Sequence, residues 1–338
     1  MKGVNPPGDQ QPLMPAASSS AADELARMVT AAHARIRSSV LETPAELVSD
    51  LFPGKLAHVY FKREDLQDTG SFKLRGATNK ILSLTAQQSA RGVIAASNGN
   101  HGLGVAAAAR RAGVTAEVYV SAQVSPAKAQ RIEQLGATIQ RAGSNPLDAE
   151  LAARAAAEQS GKVFISPYND LEVMAGQGTI AVELLNQVPD MDAIFVAVGG
   201  GGLIGGIGAF LKHASPKIEV VGCWPQNSRV LYESIKAGRI LDVPEDYTLS
   251  ESTAGGLEPG SVTLGVCRNV IDRSVLVSED EILATIRRVR DAQGWIMEGA
   301  AAVAVAAFEK EAGRYAGKTV VVVICGGNVS PEVAKKIG

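Results

Sequence analysis

Cysteine is scarce: Cys223, Cys267 and Cys325 are the only three, and none share a CxxC spacing. An odd count without paired spacing excludes a disulfide framework and a structural zinc site, and it fits a reducing compartment. Histidine is equally sparse, and His33, His58, His101 and His213 lie too far apart for an HExxH-type metal helix. Net charge is near balance at −2, with no basic field and no acidic tail. That argues against nucleic acid as a partner. The longest apolar runs, such as residues 300–308, fall far short of the ~20 residues a membrane span needs. The opening MKGVNPPGDQQPLMPAASSSAAD lacks the apolar stretch of a secretory signal. Residues 1–22 are expected to form a flexible tail. The expected protein is cytoplasmic and works on a small molecule away from membranes.

What is present is a chain of 338 residues, long enough for two lobes with separate cores. Hydrophobic positions at 46% and charged positions at 20% are those of an ordinary globular enzyme. A first helix is expected from Asp23, which can cap it, to about residue 40, with Leu25, Met28, Val29 and Ile36 on one face. An extended stretch at 58–62 precedes a loop and a helix opened by Ser71. A repeating unit follows, in which a short β-branched strand precedes an alanine-rich helix. Strands are expected at 92–96, 116–120, 138–141 and 163–165, with helices at 102–112, 126–135 and 147–159 between them. A second series continues with helix 175–187, strand 193–198, helix 203–212 and strand 219–223. After a less regular segment, 227–272, helices 279–293 and 300–312 and strand 319–325 complete the chain. The all-apolar strands Ile194-Phe-Val-Ala-Val198 and Val320-Val-Val-Val-Ile324 belong inside a sheet covered on both faces. The fold class is α/β with mostly parallel sheets flanked by helices, and ligands are expected at strand C-terminal ends.

Three turns carry the chemistry. Val198-Gly-Gly-Gly-Gly-Leu-Ile-Gly-Gly206 follows a buried strand and opens a helix. Its backbone N–H groups can crowd around an anion, and the helix adds its positive dipole end, so a phosphate is the natural occupant. Gly200, Gly202 and Gly205 also spell the dinucleotide fingerprint. That reading needs an acid at the end of the next strand, where the chain instead reads Gly222-Cys-Trp-Pro225. Ser71-Phe-Lys-Leu-Arg-Gly-Ala77 places Lys73 in a first helical turn, where the dipole disfavours a cation and favours a nucleophilic amine. Ala96-Ser-Asn-Gly-Asn-His-Gly102 offers hydroxyl, amide and backbone donors to a carboxylate. Taken singly, each is also what a tight turn, a solvated helical lysine or a capped polar loop would look like.

Taken together, SFKLRGA, SNGNHG, the AGQGT stretch from Ala175, GGGGL, the EGAAA stretch from Glu298 and the CGGN stretch from Cys325 resemble the fold-type II pyridoxal-phosphate enzymes in order and spacing. The resemblance is strongest to the serine/threonine dehydratase (threonine ammonia-lyase) and serine racemase family, and it covers nearly the whole chain after the tail. It implies pyridoxal 5'-phosphate as cofactor, a homodimer, and a tryptophan-synthase-β-like fold. Residues 23–83 plus 170–338 would form the large cofactor-binding domain and 84–169 the small one. Lys73 would be the Schiff-base lysine, with Phe72 packed near the cofactor. Asn100 would bond the ring hydroxyl, with Glu298 also at the cofactor. Gly199, Gly200, Gly201, Gly202 and Leu203 would hold the phosphate. Ser97, Asn98, Gly99 and His101 would line the substrate carboxylate pocket, and Cys325 would face the pyridine nitrogen. A thiol donates only weakly to that nitrogen, so the ring is a modest electron sink and early loss of a β-leaving group is favoured. The implied reaction turns an L-β-hydroxy amino acid into a 2-oxo acid and ammonia.

The chain departs from the family in several places. Asn98 stands where racemases of the family carry a second serine, so little racemisation is expected. A divalent-cation site common in the family falls at Trp224-Pro-Gln-Asn-Ser-Arg-Val230, and Trp224 and Val230 offer a hard cation no oxygen. No metal is expected. The chain ends shortly after Asn328, without the regulatory domain of biosynthetic threonine enzymes, which favours a catabolic role. Ser252-Thr-Ala-Gly-Gly-Leu-Glu-Pro-Gly260 resembles members acting on other substrates, such as phenylserine dehydratase or the hydroxyectoine-utilisation dehydratase. The rivals are a β-replacement lyase of the cysteine-synthase kind, a racemase, and an inactive binding paralogue.

Overall fold

Two runs of fully buried apolar strand residues set the frame. A computed structural model describes residues 19–52, 54 and 57–338. Helix α1 (Ser19–Ile36) precedes a short strand β1 (Ala45–Leu47) and β2 (His58–Arg63). A loop then leads to α2 (Lys73–Leu82). Next come α3 (Ala86–Arg91), β3 (Val93–Ala96), α4 (Asn100–Ala112), β4 (Ala116–Val120), α5 (Pro126–Gln134), β5 (Thr138–Arg141), α6 (Pro146–Ser160) and β6 (Val163–Phe164). The chain continues as α7 (Leu171–Gln187), β7 (Ala193–Ala197), α8 (Gly202–Ala214), β8 (Glu219–Pro225), α9 (Val230–Ala237) and α10 (Val262–Val270). It closes with β9 (Arg273–Val277), α11 (Glu279–Gln293), α12 (Gly299–Glu311), β10 (Thr319–Ile324) and α13 (Pro331–Ile337).

A six-stranded sheet runs β1-β2-β10-β7-β8-β9, and a four-stranded sheet runs β5-β4-β3-β6. Among the described strands, only the β1–β2 pair is antiparallel. The small sheet is built entirely from the stretch between α2 and α7. Strands β7 and β10 occupy the middle of the large sheet, where helices on both faces remove them from water, and this is why they read as unbroken apolar runs. Local signals agree with this frame. Ser125 and Asn145 cap helices that begin with proline, Asp170 accepts from the Glu172 and Val173 amides, and Ser278 with Glu281 forms a capping box.

Some expectations are corrected. Helix α1 begins at Ser19 and ends at Ile36, so Asp23 lies inside it and residues 19–22 of the expected tail are helical. Residues 1–18 lie outside the described residues. Segment 227–272 contains α9 and α10, whose two turns are too short to show a clear 3.6-residue period in sequence. Ser71 does not cap α2. Phe72 occupies that position in helical geometry, and the buried Ser71 hydroxyl makes no hydrogen bond. Among the described residues no helix is long and apolar enough to cross a membrane.

Helices α2, α7 and α8 stack at unusually close range, which positions the site. A Cβ at Gly176 of α7 would come within 2.6 Å of Gly76 Cα on α2, and one at Gly206 of α8 would strike the Met174 carbonyl of α7. Only glycine permits either approach. Gln177 Oε1 accepts from the Gly76 amide at 3.1 Å and fixes the register. The AGQGT stretch is therefore a packing device: it docks the helix that begins with Lys73 and the helix that follows the glycine turn onto one central helix.

Candidate functional site

Four loops meet at the C-terminal ends of parallel strands: those after β2, β3, β7 and β10. The backbone brings the first and last together, since Phe72 N donates to the Cys325 carbonyl at 3.0 Å and Ser71 pairs with Gly326 as an isolated bridge. A recess of about 410 Å³, counting its open mouth, is lined by Phe72, Lys73, Gly199, Gly200, Gly201 and Leu203. Ala197, Ile204, Ser252, Thr253, Ala300 and Cys325 complete its wall.

Lys73 is the first residue of α2, and its Nζ donates to the Pro167 carbonyl at 2.7 Å. Burial pulls its amine down from the usual lysine range to about 8, against the raising influence of Cys325 and Glu298. A neutral amine is thus accessible near physiological pH. Gly201 takes a left-handed conformation (φ +87°) and caps α8 without a side chain, so the first backbone N–H groups of that helix are left for a ligand. The Phe72 ring lies beside the amine, with Nζ 5.0 Å from its centroid. Cys325 directly follows the central strand β10 and is buried, and burial pushes its thiol well above the usual range, so it remains protonated.

Glu298 precedes α12, with its carboxylate buried and pushed up chiefly by that burial. It accepts from Asn100 Nδ2 at 2.9 and 3.2 Å. Asn328 Nδ2 donates to Asn100 Oδ1 and to the Thr69 carbonyl, each at 2.8 Å. Asn100 is therefore held from both ends, with its amide group lodged beside the recess. The other members of the loop after β3 are tied differently. Asn98 Nδ2 donates to Ser121 Oγ at 2.8 Å, and Asn98 Oδ1 accepts from the Ser121 amide at 3.0 Å. Ser97 Oγ accepts from the Gly99 amide at 3.1 Å. His101 is buried, its Nε2 lies 2.8 Å from the Ile165 carbonyl, and burial together with Lys73 pulls the ring down to about 3. The ring is neutral, and a carbonyl only accepts, so Nε2 carries the hydrogen. What this loop offers a carboxylate is the start of α4, where Gly99 caps without a side chain.

The structure brings Lys73, Phe72, the glycine turn, Leu203, Cys325, Asn100 and Glu298 to one place. It leaves the side chains of Asn98 and His101 engaged elsewhere. Sequence reasoning missed Pro167, Tyr168 and Asn328. Asn328 was visible as the last letter of CGGN, whereas Pro167 and Tyr168 carry no sequence signal beyond standing just before α7. Trp224 is buried at the end of β8 and Val230 opens α9. Among the described residues no three His, Cys, Asp or Glu side chains come together as a metal cluster. Activity is expected to survive dialysis against EDTA. Loss that magnesium restores would overturn this.

The donor set fits a phosphorylated aldehyde: a lysine amine that can be neutral, a side-chain-free helix start for an anion, and a protonated thiol in place of a carboxylate. Fold and recess define the class as an enzyme of fold type II with a buried lysine at the recess. The chain belongs to the pyridoxal-phosphate dependent enzyme family, whose description matches residues 36–326. It is 38% identical to an L-threonine ammonia-lyase of Thermotoga maritima over 279 residues, covering 82% of this chain and 69% of that protein. Among solved structures it is similar to processed threonine deaminase isoform 2 of Solanum lycopersicum, with a TM-score of 0.89, 33% identity, and coverage of 93% and 87% of the two chains. It is also similar to serine racemase of Dictyostelium discoideum, with a TM-score of 0.84, 33% identity, and coverage of 90% and 98%.

The Lys73 shift has a direct consequence. On the reading that Lys73 takes the cofactor, the rate of recapturing pyridoxal phosphate by cofactor-free protein is expected to rise with pH through about 8, because only the neutral amine attacks an aldehyde. Stopped-flow absorbance would follow it. A midpoint near the ~10.4 of free lysine would sink the idea.

Proposed function

We propose that the protein is a pyridoxal-phosphate-dependent ammonia-lyase that dehydrates an L-β-hydroxy amino acid of the threonine, serine or phenylserine type. Lys73, whose amine reaches the recess beside a protonated Cys325 thiol, is the observation that carries the reading. When bound, pyridoxal phosphate supplies an aldehyde to hold the substrate amine and a ring to draw electron density from Cα. The N–H groups of Gly199–Leu203 would bind its phosphate, and Asn100, steadied by Glu298 and Asn328, would hold its ring hydroxyl. Phe72, on the recess wall, would pack against it.

The start of α4, with Ser97, Asn98, Gly99 and His101, receives the substrate carboxylate through backbone donors. Lys73, as a neutral amine, would take the proton from substrate Cα; that proton and the β-hydroxyl leave together as one water, and a second water hydrolyses the enamine that remains to the 2-oxo acid and ammonia. Cys325, a protonated thiol, would offer the ring nitrogen only a weak donor, which would favour elimination over return of the proton. The similarity to serine racemases raises racemisation as a second reading. Asn98 speaks against it, since its amide has no transferable proton and both its polar atoms are bound to Ser121.

One assay tests both. Release of 2-oxo acid is measured with L-threonine, L-serine and L-threo-phenylserine, and D-serine formation is followed in parallel. Release from at least one substrate, with racemisation well below elimination, is expected. No release from any of them ends the dehydratase reading, and equal rates of the two reactions with L-serine end the exclusion of racemisation.

A further inference from the structure

The part of the recess wall formed by Ser252 and Thr253 belongs to segment 251–260, which packs unlike the rest of the site. Of its residues only Thr253 is buried, and Leu257 and Glu258 are half-buried. Gly255 and Gly260 take left-handed backbone conformations, and Gly256 has no neighbour within 4 Å of where a Cβ would stand. Such a segment has little core of its own to hold it in place.

What holds it comes from outside. The Glu258 amide donates to Tyr168 Oη at 3.0 Å, and the Glu258 carboxylate pairs with Arg154 of α6 at 2.7 Å. Arg154 is held in turn by Glu150 at 2.8 Å and stacks 4.3 Å from the centroid of Phe164. Just beyond the segment the Val262 amide donates to Asn169 Oδ1 at 3.0 Å. At its near end Glu251 accepts from Ser330 Oγ at 2.8 Å.

Tyr168 joins these ties to the site. Its ring lies so close to Gly200 that a Cβ there would come within 2.7 Å of ring carbon Cδ1. The preceding residue, Pro167, supplies the carbonyl that receives Lys73 Nζ. One short connection between β6 and α7 thus touches the lysine, the glycine turn and the covering segment.

We propose that Tyr168 is a positioning residue for the lyase reaction. Its hydroxyl, with the Arg154–Glu258 pair, latches segment 251–260 as a strap over the cofactor recess, and the strap opens to pass substrate and product. The partly exposed ion pair, the Tyr168–Glu258 hydrogen bond and the bond from the Gly255 amide to Glu245 at 3.2 Å are each weak enough to break in every turnover and together bias closure. The inference rests on the dehydratase reading only for what passes through the opening.

The test uses holoenzyme. Tyr168→Phe keeps the ring against Gly200 and removes only the acceptor. Amide hydrogen exchange over 254–260, above all at Glu258, is expected to quicken about tenfold, with β7 and α8 as protected as before. KM for the preferred β-hydroxy amino acid is expected to rise about tenfold and kcat to fall by less. Arg154→Met, on a partly exposed helix face, is expected to quicken the same amides about threefold. Unchanged exchange over 254–260 in both variants overturns the latch. So does faster exchange throughout the large sheet, which would report unfolding, or a quickened segment with KM unchanged. Failure of the dehydratase reading is seen separately, as wild-type protein that releases no 2-oxo acid.

Discussion

Lys73→Ala is expected to lower turnover by at least about 10⁴-fold, combining loss of covalent attachment with loss of the proton-transferring base. The fold should survive, because the side chain points into the recess and its one hydrogen bond is to the Pro167 carbonyl. Two measurements separate chemistry from folding. The visible absorbance band that borohydride abolishes in the wild type should be missing, while far-UV circular dichroism should be unchanged. A variant that keeps more than about a thousandth of wild-type turnover would show that another group does the work of this amine.

Arg75→Met should leave every recess-lining side chain in place and still cost about 3–5 kcal/mol of stability. The guanidinium is fully buried and donates to Glu64 at 2.8 Å from two nitrogens, to Glu183 at 2.6 and 2.8 Å, to Thr179 Oγ1 and to the Leu41 carbonyl. Buried Lys62 also donates to Glu183 at 2.6 Å, so two cations balance two carboxylates out of water. Burial pushes Glu64 up, yet Arg75 and Lys62 outweigh it and hold the carboxylate below its usual range. Methionine fills much of the volume and leaves Glu64 and Glu183 with one cation between them. A urea titration gives the loss at pH 7. Because a depressed carboxylate contributes stability above its unfolded pKa of ~4.3 and loses it as pH falls, the gap between wild type and variant should narrow on acidification below about 4. A loss under about 1 kcal/mol at pH 7 would mean that water or rearrangement neutralises the pair. The same residue helps anchor α2, since its partners lie after β2, on α7 and in the α1–β1 connection.

Much of the fold was legible in the sequence because the central strands are buried on both faces. Ile194–Val198 and Val320–Ile324 had to be apolar throughout, and that demand is written residue by residue. The less regular segment 227–272 was harder to read, because α9 and α10 are short and gain their order from packing. Val266 and Val270 of α10, for instance, are buried in a cluster with Leu25, Val29 and Ala32 of α1. The capping role given to Ser71 failed for a similar reason: the bridge to Gly326 and the Phe72–Cys325 hydrogen bond fix that turn from a distant strand, and local capping chemistry had no part in it.

The sequence by itself determined which residue types were available for chemistry: a lysine at a helix start, a side-chain-free glycine turn, and a cysteine at the end of an apolar strand. These depend on neighbours within a few residues, so they survive reading in one dimension. Only the tertiary structure decided that Asn98 and His101 are tied to Ser121 and Ile165, that Asn328 steadies Asn100, and that Tyr168 joins the lysine, the glycine turn and the covering segment. Those relations span tens to hundreds of positions along the chain. They arise from how helices α2 and α8 dock on α7, and no local pattern encodes them.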